Sequence, residues 1–342
     1  MEAVYAAIIV FSLTYLYYRN WMAGKNFSKA HRADGKTAIV TETAIGLAER
    51  GVRVIVACSD LRRGEIVSAM IKSKTGNPNI RAMHLNLASF KSIRAFAETF
   101  LKEETRLDIL VNNETVTCAK KSFTEDGLEM HMAVNHFGHF LLTMLLIKRM
   151  RQFTPSRIVT VSHHAHRFVR FNKDNLNSER TYNRFHAFCH SKLANLIFTN
   201  ELSNRLSCSG VTATSVHPGI FHVDTSHITG SLLFEIFRGI TDIFAKIILR
   251  TAKSGAQNTL YAALDFNLQN ISGVYIDNFE IAHVNPDADD PELRSWLWDY
   301  SEKITGIGFP TDDWYLDDSY KNISKYTNFF GIPTEIYEQS LK

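Results

Sequence analysis

The stretch Thr37-Ala38-Ile39-Val40-Thr41-Glu42-Thr43-Ala44-Ile45-Gly46-Leu47-Ala48-Glu49-Arg50-Gly51-Val52-Arg53-Val54-Ile55-Val56-Ala57 sets the pattern of the chain. Its two ends, Thr37–Thr41 and Arg53–Ala57, are short β-branched runs that read as strands. Between them, Glu42–Gly51 reads as one short helix. The same alternation continues outward. Strands are expected at Ile80–Leu85, Asp108–Val111, Arg157–Ser162 and Thr212–Val216, and a last short one at Gly273–Ile276. Helices are expected at Arg62–Lys74, Phe90–Glu104, Thr124–Met150, Arg184–Leu206, Ala252–Leu264 and Glu292–Thr305. Strands alternating with amphipathic helices give an α/β fold, a doubly wound, Rossmann-like parallel sheet. Such sheets bind ligands beyond the carboxyl ends of their strands.

Composition bounds the rest. The 342 residues are 45% hydrophobic and 21% charged, which suits a single α/β domain with appendages at both ends. A net charge of +3 without a long basic block argues against nucleic acid. The four cysteines, Cys58, Cys118, Cys189 and Cys208, form no C-x-x-C pair and no metal-ligand spacing, so they read as free thiols in a reducing compartment.

Residues 1–34 read as an anchor with a basic flank. Ala3–Tyr18 is almost wholly apolar or aromatic and, as a helix, would reach roughly 24 Å, short of a ~30 Å hydrocarbon core unless Trp21 or bilayer thinning helps. Arg19, Lys25, Lys29, Arg32 and Lys36 follow it and Glu2 precedes it, which puts the main domain on the cytosolic side of a membrane. The alternative is a hydrophobic helix packed on the domain. With the domain facing the cytosol, the sequons at Asn26, Asn113, Asn270 and Asn322 would go unused.

From about Gly35 to Ile307 the chain resembles the short-chain dehydrogenase/reductase family, in its NADP-dependent retinol dehydrogenase branch. The resemblance is carried by Leu110-Val111-Asn112-Asn113, Val134-Asn135-His136-Phe137-Gly138-His139-Phe140-Leu141-Leu142, Ser156–Ser162, His190-Ser191-Lys192-Leu193-Ala194-Asn195 and Val216-His217-Pro218-Gly219, in the family's order. It implies a membrane-anchored oxidoreductase, at the endoplasmic reticulum, acting with NADP(H) on retinoid-like lipophilic alcohols or carbonyls. It further implies cofactor contacts at Thr41, Ser59, Asn86, Asn112, Lys192, Pro218 and Gly219.

Against that pattern, several cofactor positions have changed. The family's glycine-rich turn after the first strand lets backbone N–H groups and a helix N-terminus cradle the pyrophosphate. Here Thr41 runs straight into Glu42, as though roughly eight residues were missing, so the first turn of the short helix must unwind to make the corner. Ser59 stands where the branch has an arginine for a 2′-phosphate, Asn86 where the family has aspartate, and Glu114-Thr115 where it has Ala-Gly.

The catalytic positions have changed too. The family's tyrosine acts as general acid or base, its pKa lowered by a neighbouring lysine; a serine hydroxyl bonds the same oxygen and an asparagine supports a relay water. By motif, Lys192 and Asn135 remain, while Phe188 holds the tyrosine position and His163 the serine position. His163 titrates near neutral pH by its type and could donate a hydrogen bond to a carbonyl. Ser162, its neighbour on the strand, should face the other way. Tyr182 should lie ahead of the helix, His136 and His139 should pack or hydrogen-bond, and no metal is expected.

The apolar run Ser231–Leu249 falls in the family's substrate lid, about residues 224–250, and could equally pack on the domain or rest on a membrane. Residues 308–342 have no counterpart. Three readings follow: a retinol-dehydrogenase-like protein with lost or strongly reduced activity; an active NADP(H)-dependent reductase, rescued by His163 or misrepresented by a mis-spliced gene model; and a non-enzymatic lipid-binding or interaction protein.

Overall fold

A computed structural model describes residues 27–28, 30–40, 43–118, 120–218 and 252–310. Backbone contacts separate Met1–Ile307 from Gly308–Lys342, and the fold below is that of the first unit. The expected anchor, the lid and most of the 308–342 extension lie outside the described residues, as do Thr41, Glu42 and Gly219.

Strands β1 (Thr37–Val40), β2 (Arg53–Cys58), β3 (Ile80–His84), β4 (Ile109–Asn112), β5 (Ser156–Val161), β6 (Val211–Val216), β7 (Tyr275–Asp277) and β8 (Glu280–Ile281) form one sheet in the order 3-2-1-4-5-6-7-8. All neighbours are parallel except β7 and β8, a hairpin whose second strand the sequence pattern does not reveal. The order runs outward both ways from the β1–β4 pair, the doubly wound topology expected.

Helices cover both faces: α1 (Ala44–Ala48), α2 (Leu61–Thr75), α3 (Phe90–Glu103), α4 (Met130–Gln152, with a π-helical segment Ala133–Gly138), α5 (Arg184–Arg205), α6 (Ala252–Leu264) and α7 (Pro291–Thr305). Period-two alternation divides the strand side chains. Ala38, Val40, Val54 and Val56 join Leu47, Ile71 and Leu260 in one apolar cluster beneath α1, α2 and α6. A second cluster joins Met132, Phe137, Leu193, Leu196 and Leu297, where α4, α5 and α7 meet.

Helix starts follow capping chemistry. Asp60, Ser89, Asn183 and Asp290 each accept backbone N–H groups of α2, α3, α5 and α7. α4 starts at Met130 rather than Thr124, a correction with a local cause. Gly127 adopts φ +77°, its N–H bonds Thr124, and Phe123 bridges Glu129, whose carboxylate caps the helix at His131 and Met132. By length and composition α4 could cross a membrane, yet 89% of its apolar window is buried within the fold, so it is a core helix.

Candidate active site

The chemistry gathers at the carboxyl ends of β4, β5 and β6. Just past β5, Ser162 Oγ donates to the Lys192 carbonyl at 2.7 Å, pinning the strand end to α5. His163 follows in an extended conformation and caps a 3-10 turn, His164–Phe168, with Nδ1 accepting from the Ala165 N–H at 3.1 Å. The proton of the neutral imidazole is thereby assigned to Nε2. Burial first, then the Lys192 cation and the neighbouring His164 and His166, push the His163 pKa down to about 4. Titration near neutral pH is therefore corrected: His163 is an uncharged Nε2–H donor at pH 7.

Phe188 and Lys192 lie one turn apart on α5, on the same face. The Phe188 ring is 5.8 Å from the His163 ring and 5.9 Å from Lys192 Nζ. Lys192 is 2% exposed, and its ammonium donates to Thr115 Oγ1 at 2.7 Å and to the Val161 carbonyl at 3.1 Å. Thr115 was not identified as a site residue from the sequence. Its only signal is that a hydroxyl-bearing residue follows Asn113-Glu114 where the family has glycine.

Asn135 sits in the π-helical segment of α4, fully buried. Such segments recur at functional sites because the wider turn re-aims side chains. Its Oδ1 accepts from the Val116 N–H at 2.8 Å, and Nδ2 donates to the Val116 carbonyl at 3.2 Å and to Ser191 Oγ at 2.9 Å. One side chain thus holds the loop after β4 against α4 and α5. Asn112, the last residue of β4, donates to Thr143 Oγ1 at 3.0 Å. His136 hydrogen-bonds Ser301 Oγ and His139 the Asn135 carbonyl. Tyr182 precedes α5, its hydroxyl 3.5 Å from the Cys118 carbonyl.

The structure brings His163, Phe188 and Lys192 together, with Asn135 joined to the same helix through Ser191. Other candidates lie farther along the strand ends. Ser59 is exposed after β2. Asn86 Oδ1 accepts from Ala88 N–H at 3.0 Å, closing its own turn. Cys58 at the end of β2 has a raised thiol pKa, through burial first and then the negative charges of Asp60 and Glu114. Pro218 is buried directly after β6 and His217. Gly46, the first glycine after β1, has no phosphate role visible here: a Cβ on it would lie 2.3 Å from Leu260 Cδ1, so its absence lets α1 pack on α6.

A mostly parallel sheet in this order, with Lys192 bonded at the end of β5 and Asn135 at the loop after β4, defines a class of nucleotide-dependent oxidoreductase folds. Residues 35–230 match the short chain dehydrogenase family, and the chain belongs to that family, in its retinol dehydrogenase branch. It is 42% identical over 286 residues to retinol dehydrogenase 11 of Mus musculus, covering 81% of this chain and 88% of that protein. It is 42% identical over 271 residues to retinol dehydrogenase 12 of Homo sapiens, covering 79% and 84%. The crystal structure of an uncharacterized protein from Mycobacterium Paratuberculosis superposes with TM-score 0.66 at 30% identity, covering 84% of this chain and 100% of that one.

Proposed function

We propose that this chain is a retinol-dehydrogenase-like protein that keeps the family fold but has weakened dinucleotide binding and little hydride-transfer activity. The observation that carries it is Phe188. At the position where the family needs an ionisable hydroxyl, a hydrocarbon ring sits against Lys192, whose ammonium is taken up by Thr115 and Val161. Losing a general acid reduces such reactions about 10²–10⁴-fold, and losing an oxyanion donor about 10²–10³-fold.

The residues at the family's dinucleotide site fit NADP(H) poorly. No glycine stands between Val40 and Ala44, and α1 has only five residues. Ser59 brings no positive charge for a 2′-phosphate, while Asp60 and Glu114 place negative charge near Cys58. A phosphate approaching that corner meets repulsion instead of a cradle. The ligand class proposed is a retinoid-like lipophilic small molecule, by kinship with the retinol dehydrogenases. The proposed location is the endoplasmic reticulum membrane, through Ala3–Tyr18, with the domain facing the cytosol.

A second reading, a surviving reductase, draws support from one feature: His163 supplies a neutral Nε2–H donor 5.8 Å, centroid to centroid, from Phe188. NADPH fluorescence titration and retinal reduction separate the two. The wild type should bind NADPH weakly and turn over retinal barely above background. Phe188→Tyr with His163→Ser should raise turnover at least tenfold if the cofactor site survives. Tight NADPH binding and rapid turnover by the wild type would sink the first reading.

A further inference from the structure

The fold assembles a donor set that sequence spacing hides. Strands β6 and β7 pair in parallel with Val216 opposite Ile276, and the His217 N–H donates to the Ile276 carbonyl at 2.9 Å. His217 and Asp277 are therefore neighbours at the carboxyl edge of the sheet. The turn after β5 brings His164 over them: its Nε2 lies 3.0 Å from Asp277 Oδ2, and its ring stacks on His217 at 3.8 Å and 18°. One donor atom from each of the three residues lies within 4.8 Å of the others.

We infer that His164, His217 and Asp277 bind a divalent borderline metal ion of the zinc class. Two imidazoles and one carboxylate are a donor set that zinc accepts, and three protein ligands leave a fourth position for water or a substrate oxygen. The positions are built rather than fortuitous. His217 is 3% exposed, and its carbonyl accepts from Asn258 Nδ2 at 2.7 Å. His164 and Asp277 side chains are 34% and 25% exposed, which leaves an entry path from solvent.

Bonds of about 2.0–2.1 Å set tetrahedral donors roughly 3.3 Å apart. The His164–Asp277 separation already falls below that value, while the widest pair must close by no more than about 1.5 Å. Parallel imidazoles cannot both aim in-plane at one ion, so binding must open the His164–His217 stack. The competing role for the same three groups is a hydrogen-bonded tether between the β5 turn and the β7–β8 hairpin.

The inference is independent of whether the chain turns over retinal. Its test is zinc binding by the full chain in detergent, after chelator dialysis, with cobalt(II) as the spectroscopic probe. One equivalent of zinc per chain is expected, with visible ligand-field bands of tetrahedral N/O coordination on cobalt loading. Asp277→Asn keeps the hydrogen-bonding shape but weakens the donor, and His164→Ala removes one ligand. Each should reduce affinity by upward of about 10–100-fold, while His84→Ala, at an exposed histidine on β3, should leave it unchanged. Thermal melting of the metal-free variants checks folding, and if His164→Ala does not fold, Asp277→Asn alone decides. Zinc affinity unchanged in Asp277→Asn, or no tetrahedral cobalt spectrum, would overturn the inference and leave the tether.

Discussion

Asn135, a catalytic position by resemblance to the family, also ties the loop after β4 to two helices. Its single amide meets both the N–H and the carbonyl of Val116 and also Ser191 Oγ, from a fully buried site. Asn135→Ala would leave polar groups of the loop after β4 short of partners, each costing about 1–3 kcal/mol when buried. A loss of roughly 2–4 kcal/mol is expected, read as a lower denaturation midpoint at unchanged denaturant slope. A loss under about 0.5 kcal/mol would mean the loop does not depend on this side chain. Lys192 and Thr115 follow the same logic. The changes along the strand ends were readable one by one, but the contact that one of them, Thr115, makes with the Lys192 ammonium was not, since the two residues are 77 apart. The His164–Asp277 contact spans 113 residues, which is why no spacing rule reveals that donor set. Likewise the type of His163 suggests a neutral-range titration, and only the burial created by folding removes it.

α1, the five-residue helix that follows β1, is held by packing. Thr43 precedes it without a side-chain cap, and only five residues are helical. A helix this short draws its stability from tertiary contacts rather than propensity. Two such contacts are visible. Leu47 and Ala48 are buried against the sheet, and Gly46 lets the helix backbone approach Leu260 on α6. Arg50, 2% exposed, donates to the carbonyls of Gly46, Phe27 and Ser28, lashing the segment before β1 to the end of the helix. Gly46→Val would drive side-chain carbons into Leu260 and should destabilise by about 1–3 kcal/mol. Gly46→Val with Leu260→Ala should recover part of that loss, a coupling that a double-mutant cycle measures. Additive losses would show that α1 does not pack through Gly46. Strand positions and helix faces were legible because apolar periodicity encodes them locally. The start of α4 was not, because the Thr124–Gly127 turn and the Glu129 cap override an apolar pattern that runs through both.

At the scale of the whole molecule, the buried histidines tie stability to pH. His136 and His139 are both about 1% exposed on α4, between the sheet and the α5–α7 layer. Burial first, then charge on His139, takes the His136 pKa down to about 3. Burial first, with the Lys192 cation from α5 adding to it, takes His139 down to about 4. Facing them are each other, Lys192 and three neutral groups, the Ser301 hydroxyl, the Asn195 side chain and the Asn135 carbonyl; no carboxylate is bonded to either ring among the described residues. Their ordinary value is 6.5, so between pH 6.5 and about 4 the unfolded chain binds more protons than the folded one. Stability is then complete above about pH 6.5 and falls as pH drops, by about 2 kcal/mol per histidine at pH 5. Denaturant titrations of the full chain in detergent between pH 7.5 and 5 should show this decline. In His136→Gln/His139→Gln the decline should be shallower, even though the variant is less stable at pH 7.5. An equally steep decline in the double variant would place the acid sensitivity elsewhere, in groups the α4 layer does not bury.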